Sequence, residues 1–223
     1  RQGLPRKASM AASSGTAIHN TVEDLCNLDI SDRDEGEMEW LHSTAREVLE
    51  RNWKAERQEF LGTQRHPRWK SEMFSKAHDG LIGALGFLFE KAGLSKRELS
   101  EVSIQSWRQV QDIVLETEAT LESDCGRMMG RLDLLLLDPS SSEGEVGWIV
   151  ADLKTGRPPR SGLDEKVRRQ LLFYRDLAKQ RSPEQNSITA EGWYSSNEKI
   201  YVAHGPSILE EAIDAWGSMK VTE

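Results

Sequence analysis

The sequence predicts an α/β fold, a mixed central β-sheet flanked by helices and carrying a helical insertion. Three observations point to it. Apolar residues recur at helical spacing through the first half of the 223 residues. After Trp107 the period shortens to that of strands. Two runs that are apolar at nearly every position, 130–137 and 146–154, then follow, as expected of strands buried on both faces at the centre of a sheet.

Taken in order, the opening Arg1-Gln-Gly-Leu-Pro-Arg-Lys7 has no cap or turn of its own and suggests an excerpt of a longer chain. A helix is expected over about 10–26, where Ile18, Val22 and Leu25 share a face and His19 lies beside it. Residues from about 34 to 100 predict two or three helices. Trp40, Leu41, Ala45, Val48, Leu49 and Trp53 form one stripe, and Leu81, Ile82, Leu85, Leu88 and Phe89 form another. Gln64-Arg-His-Pro67 and the stretch Gly93–Ser95 mark the breaks. Strands are expected at 112–121, 130–137 and 146–154, the last two joined by an open loop, Asp138-Pro-Ser-Ser-Ser-Glu-Gly-Glu145. A helix over 163–179, a final strand over 199–203 and a helix over 208–219 complete the order. One domain is expected over 1–223, with a helical elaboration at about 29–107 and a core at about 108–203 joined by the 10–26 helix.

Composition narrows the function classes. No apolar run approaches a membrane span and no signal-peptide layout opens the chain, so an intracellular, cytoplasmic protein is expected. Two cysteines, Cys26 and Cys125, exclude a disulfide framework and a four-thiolate metal site within these residues. A net charge of −8 counts against a protein that coats nucleic acid nonspecifically. Locally the balance reverses. Between Thr155 and Arg181, Arg157, Arg160, Lys166, Arg168, Arg169, Arg175, Lys179 and Arg181 stand against Asp164, Glu165 and Asp176. As a charge pattern alone, this run also fits a solvated helix face.

The chemistry concentrates in the expected hairpin. If 139–146 is its loop, symmetric antiparallel closure sets residue numbers summing to 285 opposite one another, and Asp133 faces Asp152. Two carboxylates opposed in a buried sheet are costly unless a cation or a shared proton joins them, and a hard divalent ion is the natural partner. Period-two alternation points Lys154 to the same face as Asp152, where an ammonium can orient water and stabilise charge on a phosphate. Asp-x-Lys also arises by chance, as at Asp164-Glu-Lys166, but that copy sits in a polar, helical context.

Four ordered segments resemble the RecB-like branch of the PD-(D/E)XK nucleases, a branch that includes CRISPR-associated exonucleases. They are Gly15-Thr-Ala-Ile-His19, Gly130-Arg-Leu-Asp133, Asp152-Leu-Lys154-Thr-Gly156 and Gln170-Leu-Leu-Phe-Tyr174. The resemblance spans about 10–180 and implies a restriction-endonuclease-like core. It implies Mg²⁺ or Mn²⁺ held by His19, Asp133, Asp152 and the Leu153 carbonyl, with Lys154 orienting the nucleophile and Gln170 and Tyr174 positioning strand or lysine. Glu118 resembles an acidic position that often precedes the Gly-x-x-Asp strand, and equally fits a strand-surface residue. Many such nucleases hold an iron–sulfur cluster. Neither cysteine here matches its ligand positions, so no cluster is expected within these residues.

The implied activity is hydrolysis of a DNA phosphodiester by in-line attack of metal-activated water, exonucleolytic on single-stranded or frayed DNA. Arg168, Arg169 and Arg175 are the candidate phosphate contacts. The alternative is a nuclease-fold DNA-binding module of a repair or CRISPR-adaptation complex, with weak or no cleavage. A restriction-type endonuclease would want a base-reading element that the sequence does not offer.

Overall fold

The computed structural model describes residues 8–95, 98–139, 146–160 and 162–219, with side chains undescribed from 216 onward. The expected loop between the two apolar runs falls largely on 140–145, outside the described residues. The chain forms two compact units. One comprises 1–111, 154–158 and 194–198, and the other 112–153, 159–193 and 199–223.

The first unit is helical: α1 (Met10–Cys26), α2 (Trp40–Gly62), α3 (Phe74–Lys91) and α4 (Ile104–Ile113), the last running just past its boundary. Both expected stripes turn inward, with Leu41, Leu49, Leu81, Leu85 and Leu88 fully buried. Ile82 is the exception, exposed at the edge of its stripe. Trp107 anchors α4, donating from Nε1 to the Leu25 carbonyl at 3.2 Å and packing edge-on against Trp40 and Phe89. Asn52 bridges α2 to α1 by donating to Thr21 Oγ1 and Asp24 Oδ2. The helix α3 ends where Gly93 takes a left-handed φ of 72°, and the amides of Gly93 and Leu94 satisfy the carbonyls of Glu90 and Phe89. Helical structure persists to Ile113, beyond the expected change of period at Trp107, because Ile104, Trp107 and Val110 present one buried helical face.

The second unit is built on a five-stranded sheet in the order β1 (Val114–Glu122), β2 (Met129–Asp138), β3 (Gly147–Lys154), β4 (Ile188–Tyr194), β5 (Lys199–Val202). Strands β1, β2 and β3 pair antiparallel. Hydrogen bonds from Trp148 N to Ser187 O and from Ser195 N to Lys154 O advance together along β3 and β4, so that pair is parallel and the sheet is mixed. The crossover helix α5 (Glu165–Arg181) covers the sheet, with Leu171, Leu172, Leu177 and Ala178 packed against Ala119, Leu121, Leu132 and Val150. Asp164 caps α5, accepting from the Lys166 amide at 2.9 Å, so the second Asp-x-Lys is a helix start. The buried Asp176 accepts from the amides of Ile208 and Leu209 and so caps α6 (Leu209–Met219). Strand β4 is absent from the sequence-based expectation. Glu191 and Gly192 interrupt its apolar pattern, yet both are buried, and Glu191 accepts from Trp193 Nε1 at 2.7 Å. No helix among the described residues is long and apolar enough to cross a membrane.

Candidate active site

The observed β2–β3 register pairs Leu134 with Ala151 and continues to Asp138 with Gly147. Each pair sums to 285, as symmetric closure requires, and the next position sets Asp133 opposite Asp152. On the other side, β1 pairs Thr117 with Leu134 and Ala119 with Leu132. Glu118 therefore sits opposite Asp133, and oxygens of the two carboxylates lie within 4.8 Å of each other. Three carboxylates thus line up across three adjacent strands.

Burial differs across the row. Asp152 is 5% exposed, Asp133 and Glu118 are half-buried, and Glu118 pairs with Arg131 at 2.5 Å. Asp133 Oδ2 accepts from the Leu153 amide at 2.6 Å, which fixes its carboxylate against β3. Glu118 has a left-handed φ of 50°, a conformation that a non-glycine strand residue rarely holds.

Helix α5 supplies the remaining groups. Gln170 faces β3, and Tyr174, one helical turn on, lies against Gly130 of β2. Gln170 Nε2 donates to Asp152 Oδ1 at 3.1 Å and to the Tyr174 hydroxyl at 2.9 Å. Gly130 makes the approach possible, since a Cβ there would stand 2.6 Å from Tyr174 Cε1. Burial pushes the Tyr174 hydroxyl above its ordinary range, opposed by the Gln170 hydrogen bond and reinforced by the charges of Asp152, Asp133 and Glu118. All three carboxylates therefore act on one phenol.

This donor set fits a hard divalent cation. The carboxylate oxygens of the second unit group negative charge where burial disfavours charge without a counter-ion. Of the sequence candidates, the second unit brings together Asp133, Asp152, the Leu153 main chain, Gln170 and Tyr174, and it adds Glu118, outside the candidate site set. The signal for Glu118 was its place in the strand before Gly130; its pairing opposite Asp133 follows only from the register.

The first unit holds His19 and Lys154. His19 lies half-buried on α1, one turn after Gly15. A Cβ on Gly15 would stand 2.8 Å from Thr155 Oγ1, so this glycine lets α1 lie against the residue after Lys154. Lys154 ends β3, and its carbonyl accepts from the Ser195 amide at 3.1 Å.

The candidate phosphate contacts have internal partners. Arg168 bonds Glu165 and the His204 carbonyl, and Arg175 bonds Asp176 and the carbonyls of Gly205 and Pro206. Arg169 pairs with Glu211 at 3.1 Å, and its side chain is 47% exposed. Of the cysteines, Cys125 is exposed, and Cys26 is a buried thiol whose pKa burial pushes up to about 12.

No curated protein matches the sequence. The family model of the PD-(D/E)XK nuclease superfamily matches residues 1–217, and the mixed sheet with its covering helix and row of carboxylates is the restriction-endonuclease-like α/β fold of that family. The chain belongs to the PD-(D/E)XK nuclease superfamily.

Proposed function

We propose that this chain, acting as one nuclease domain over residues 1–223, is a RecB-like deoxyribonuclease that hydrolyses phosphodiesters with Mg²⁺ or Mn²⁺ and degrades single-stranded or frayed DNA from its ends. The superfamily supplies the coarser part, a metal-dependent nuclease fold with a nucleic-acid substrate. The observation that carries the finer reading is the alignment of Glu118, Asp133 and Asp152 across β1, β2 and β3, with Lys154 two residues beyond Asp152 on the same strand.

In this reading Asp133, Asp152 and the Leu153 carbonyl hold the cation, with His19 added from the Gly-x-x-x-His resemblance and Glu118 from its place opposite Asp133. When bound, the cation stabilises charge on the phosphoryl oxygens and lowers the pKa of the attacking water. Period-two alternation along β3 supports Lys154 sharing the face of Asp152, where it would orient the nucleophile in line with the leaving oxygen. Gln170 fixes one oxygen of Asp152, which would orient that carboxylate for a cation, and Tyr174 fixes Gln170. Arg168, Arg169 and Arg175 are the proposed phosphate contacts. The reading leans on Arg169, because the other two already commit donors to main-chain carbonyls.

The test is purified protein with end-labelled single- and double-stranded DNA in Mn²⁺, Mg²⁺ or chelator. Metal-dependent shortening of single strands from an end supports the reading. Internal cutting of intact duplex removes its exonuclease part, and cleavage that persists in chelator removes the metal.

A further inference from the structure

The first unit encloses a cavity of about 430 Å³ beside Lys154, within the roughly 300–1,000 Å³ typical of small-ligand pockets. Ser14 and Ile18 of α1, Gly80 of α3, and Thr155 and Ser195 form much of its lining. Thr155 follows Lys154 directly, and Ser195 donates its amide to the Lys154 carbonyl. The floor holds an unsatisfied group: Ser195 is 4% exposed, and its Oγ has no hydrogen-bond partner. A buried hydroxyl left unpaired costs free energy that a ligand atom would recover.

The rim decides the ligand's chemistry. It carries the carboxylates of Asp79 and Glu198 and the ammonium of Lys76, all exposed. Two negative charges against one positive disfavour a phosphate, whereas carboxylates and hydroxyls are acceptors for the amino and imino N–H groups of a nucleobase. Ile18 offers an apolar surface to the ring, and Gly80 leaves room beside Ser195 Oγ, since a Cβ there would stand 3.0 Å from Ile18 Cδ1 and in van der Waals contact with Ser195 Oγ at 3.7 Å.

We infer that this cavity receives one unpaired nucleobase of the substrate strand, with Ser195 Oγ as a hydrogen-bond partner at its floor. The inference rests on the nuclease reading and deepens it. A base enters such a pocket only when unstacked and unpaired, so the cavity selects single-stranded or frayed DNA one residue away from the proposed catalytic lysine.

The test moves one abasic residue through a labelled single-stranded oligonucleotide, with binding measured by fluorescence anisotropy in Ca²⁺ and cleavage measured in Mn²⁺. The expected result is a loss of about tenfold in wild-type affinity when the abasic residue occupies one position, the scale of one base contact. Ser195→Ala and Gly80→Ala each remove most of that position dependence. Both are expected to fold: Ser195 Oγ has no protein partner to lose, and alanine is favoured over glycine in a helix interior, with only the Ile18 side-chain tip to displace. Thermal unfolding checks this directly. If no position matters to a wild-type protein that cuts DNA in Mn²⁺, the pocket proposal is overturned and the nuclease reading stands. A position dependence that both variants retain also overturns it, since the base is then read elsewhere. A wild type that neither binds nor cuts DNA removes the nuclease reading, and the pocket proposal falls with it.

Discussion

The amide of Leu153 donates to Oδ2 of Asp133 at 2.6 Å, tying the carboxylate of one strand to the main chain of the next, immediately beside Asp152. This bond holds Asp133 in place while its other oxygen and the carboxylates of Asp152 and Glu118 concentrate negative charge. If these residues hold the proposed cation, metal affinity and conformational stability are coupled at them. At a Mn²⁺ concentration a hundredfold above the dissociation constant, the wild type should gain about 2.7 kcal/mol, seen as a rise in melting temperature. Asp133→Ala and Asp152→Ala should lose that rise and all cleavage. Differential scanning calorimetry with and without Mn²⁺ checks this, and a full rise in either variant would remove that residue from the ligands.

Gly15 tests the packing beneath the motif. Glycine to alanine inside a helix ordinarily stabilises by up to about 1 kcal/mol. Here the new Cβ would stand 2.8 Å from Thr155 Oγ1. Gly15→Ala should instead destabilise by about 1–3 kcal/mol, the range for overpacking. Thr155→Ala in the same chain should recover most of the loss, because it removes the clashing oxygen. Denaturant titration of the single and double variants measures the coupling; additive effects would mean that the close approach is not what constrains position 15.

Tyr174 gives the pH dependence. Burial, with the charges of Asp152, Asp133 and Glu118, raises its pKa when folded above that of the unfolded chain. A raised pKa means the folded state holds the proton longer. The associated stability is complete below the unfolded value of about 10 and is lost as pH rises through the folded value. Wild type should therefore lose stability above about pH 10 more steeply than Tyr174→Phe. Parallel stability curves for the two proteins would show that the phenol does not titrate as described.

Arg169 should reveal itself in salt. If it contacts a phosphate, Arg169→Ala should reduce the slope of log affinity against log salt by about 1 without lowering the melting temperature. Arg168→Ala should lower the melting temperature as well, since Arg168 also holds the His204 carbonyl. An unchanged slope in Arg169→Ala would return that arginine to a surface pair with Glu211.

The parts legible in sequence were those fixed by period and symmetry. The β2–β3 register followed from the loop between two apolar runs, and the helical stripes of α2 and α3 followed from spacing. Strand β4 was not legible, because a buried Glu191 satisfied by Trp193 looks like a loop residue until its partner is known. Glu118 was ambiguous for a related reason: a glutamate in a strand is ordinarily a surface residue, and only the β1–β2 pairing sets it opposite Asp133. The motif glycines were visible as letters, but their cause, room for Thr155 and for the Tyr174 ring, is a matter of distances. Ser195 carried no signal, since its importance lies in being buried without a partner.

If Lys154 acts on the nucleophile, it contributes mainly in the transition state. Its removal should lower turnover far more than ground-state binding. The measurement is single-turnover cleavage of single-stranded DNA in Mn²⁺, set beside equilibrium binding in Ca²⁺, for wild type and Lys154→Ala. Nearly equal binding is expected, with cleavage slower by about two orders of magnitude or more, the scale of losing one preorganised electrostatic group. Two proteins that differ only in affinity, neither showing Mn²⁺-dependent cleavage, would contradict that expectation and leave a DNA-binding module on a nuclease fold.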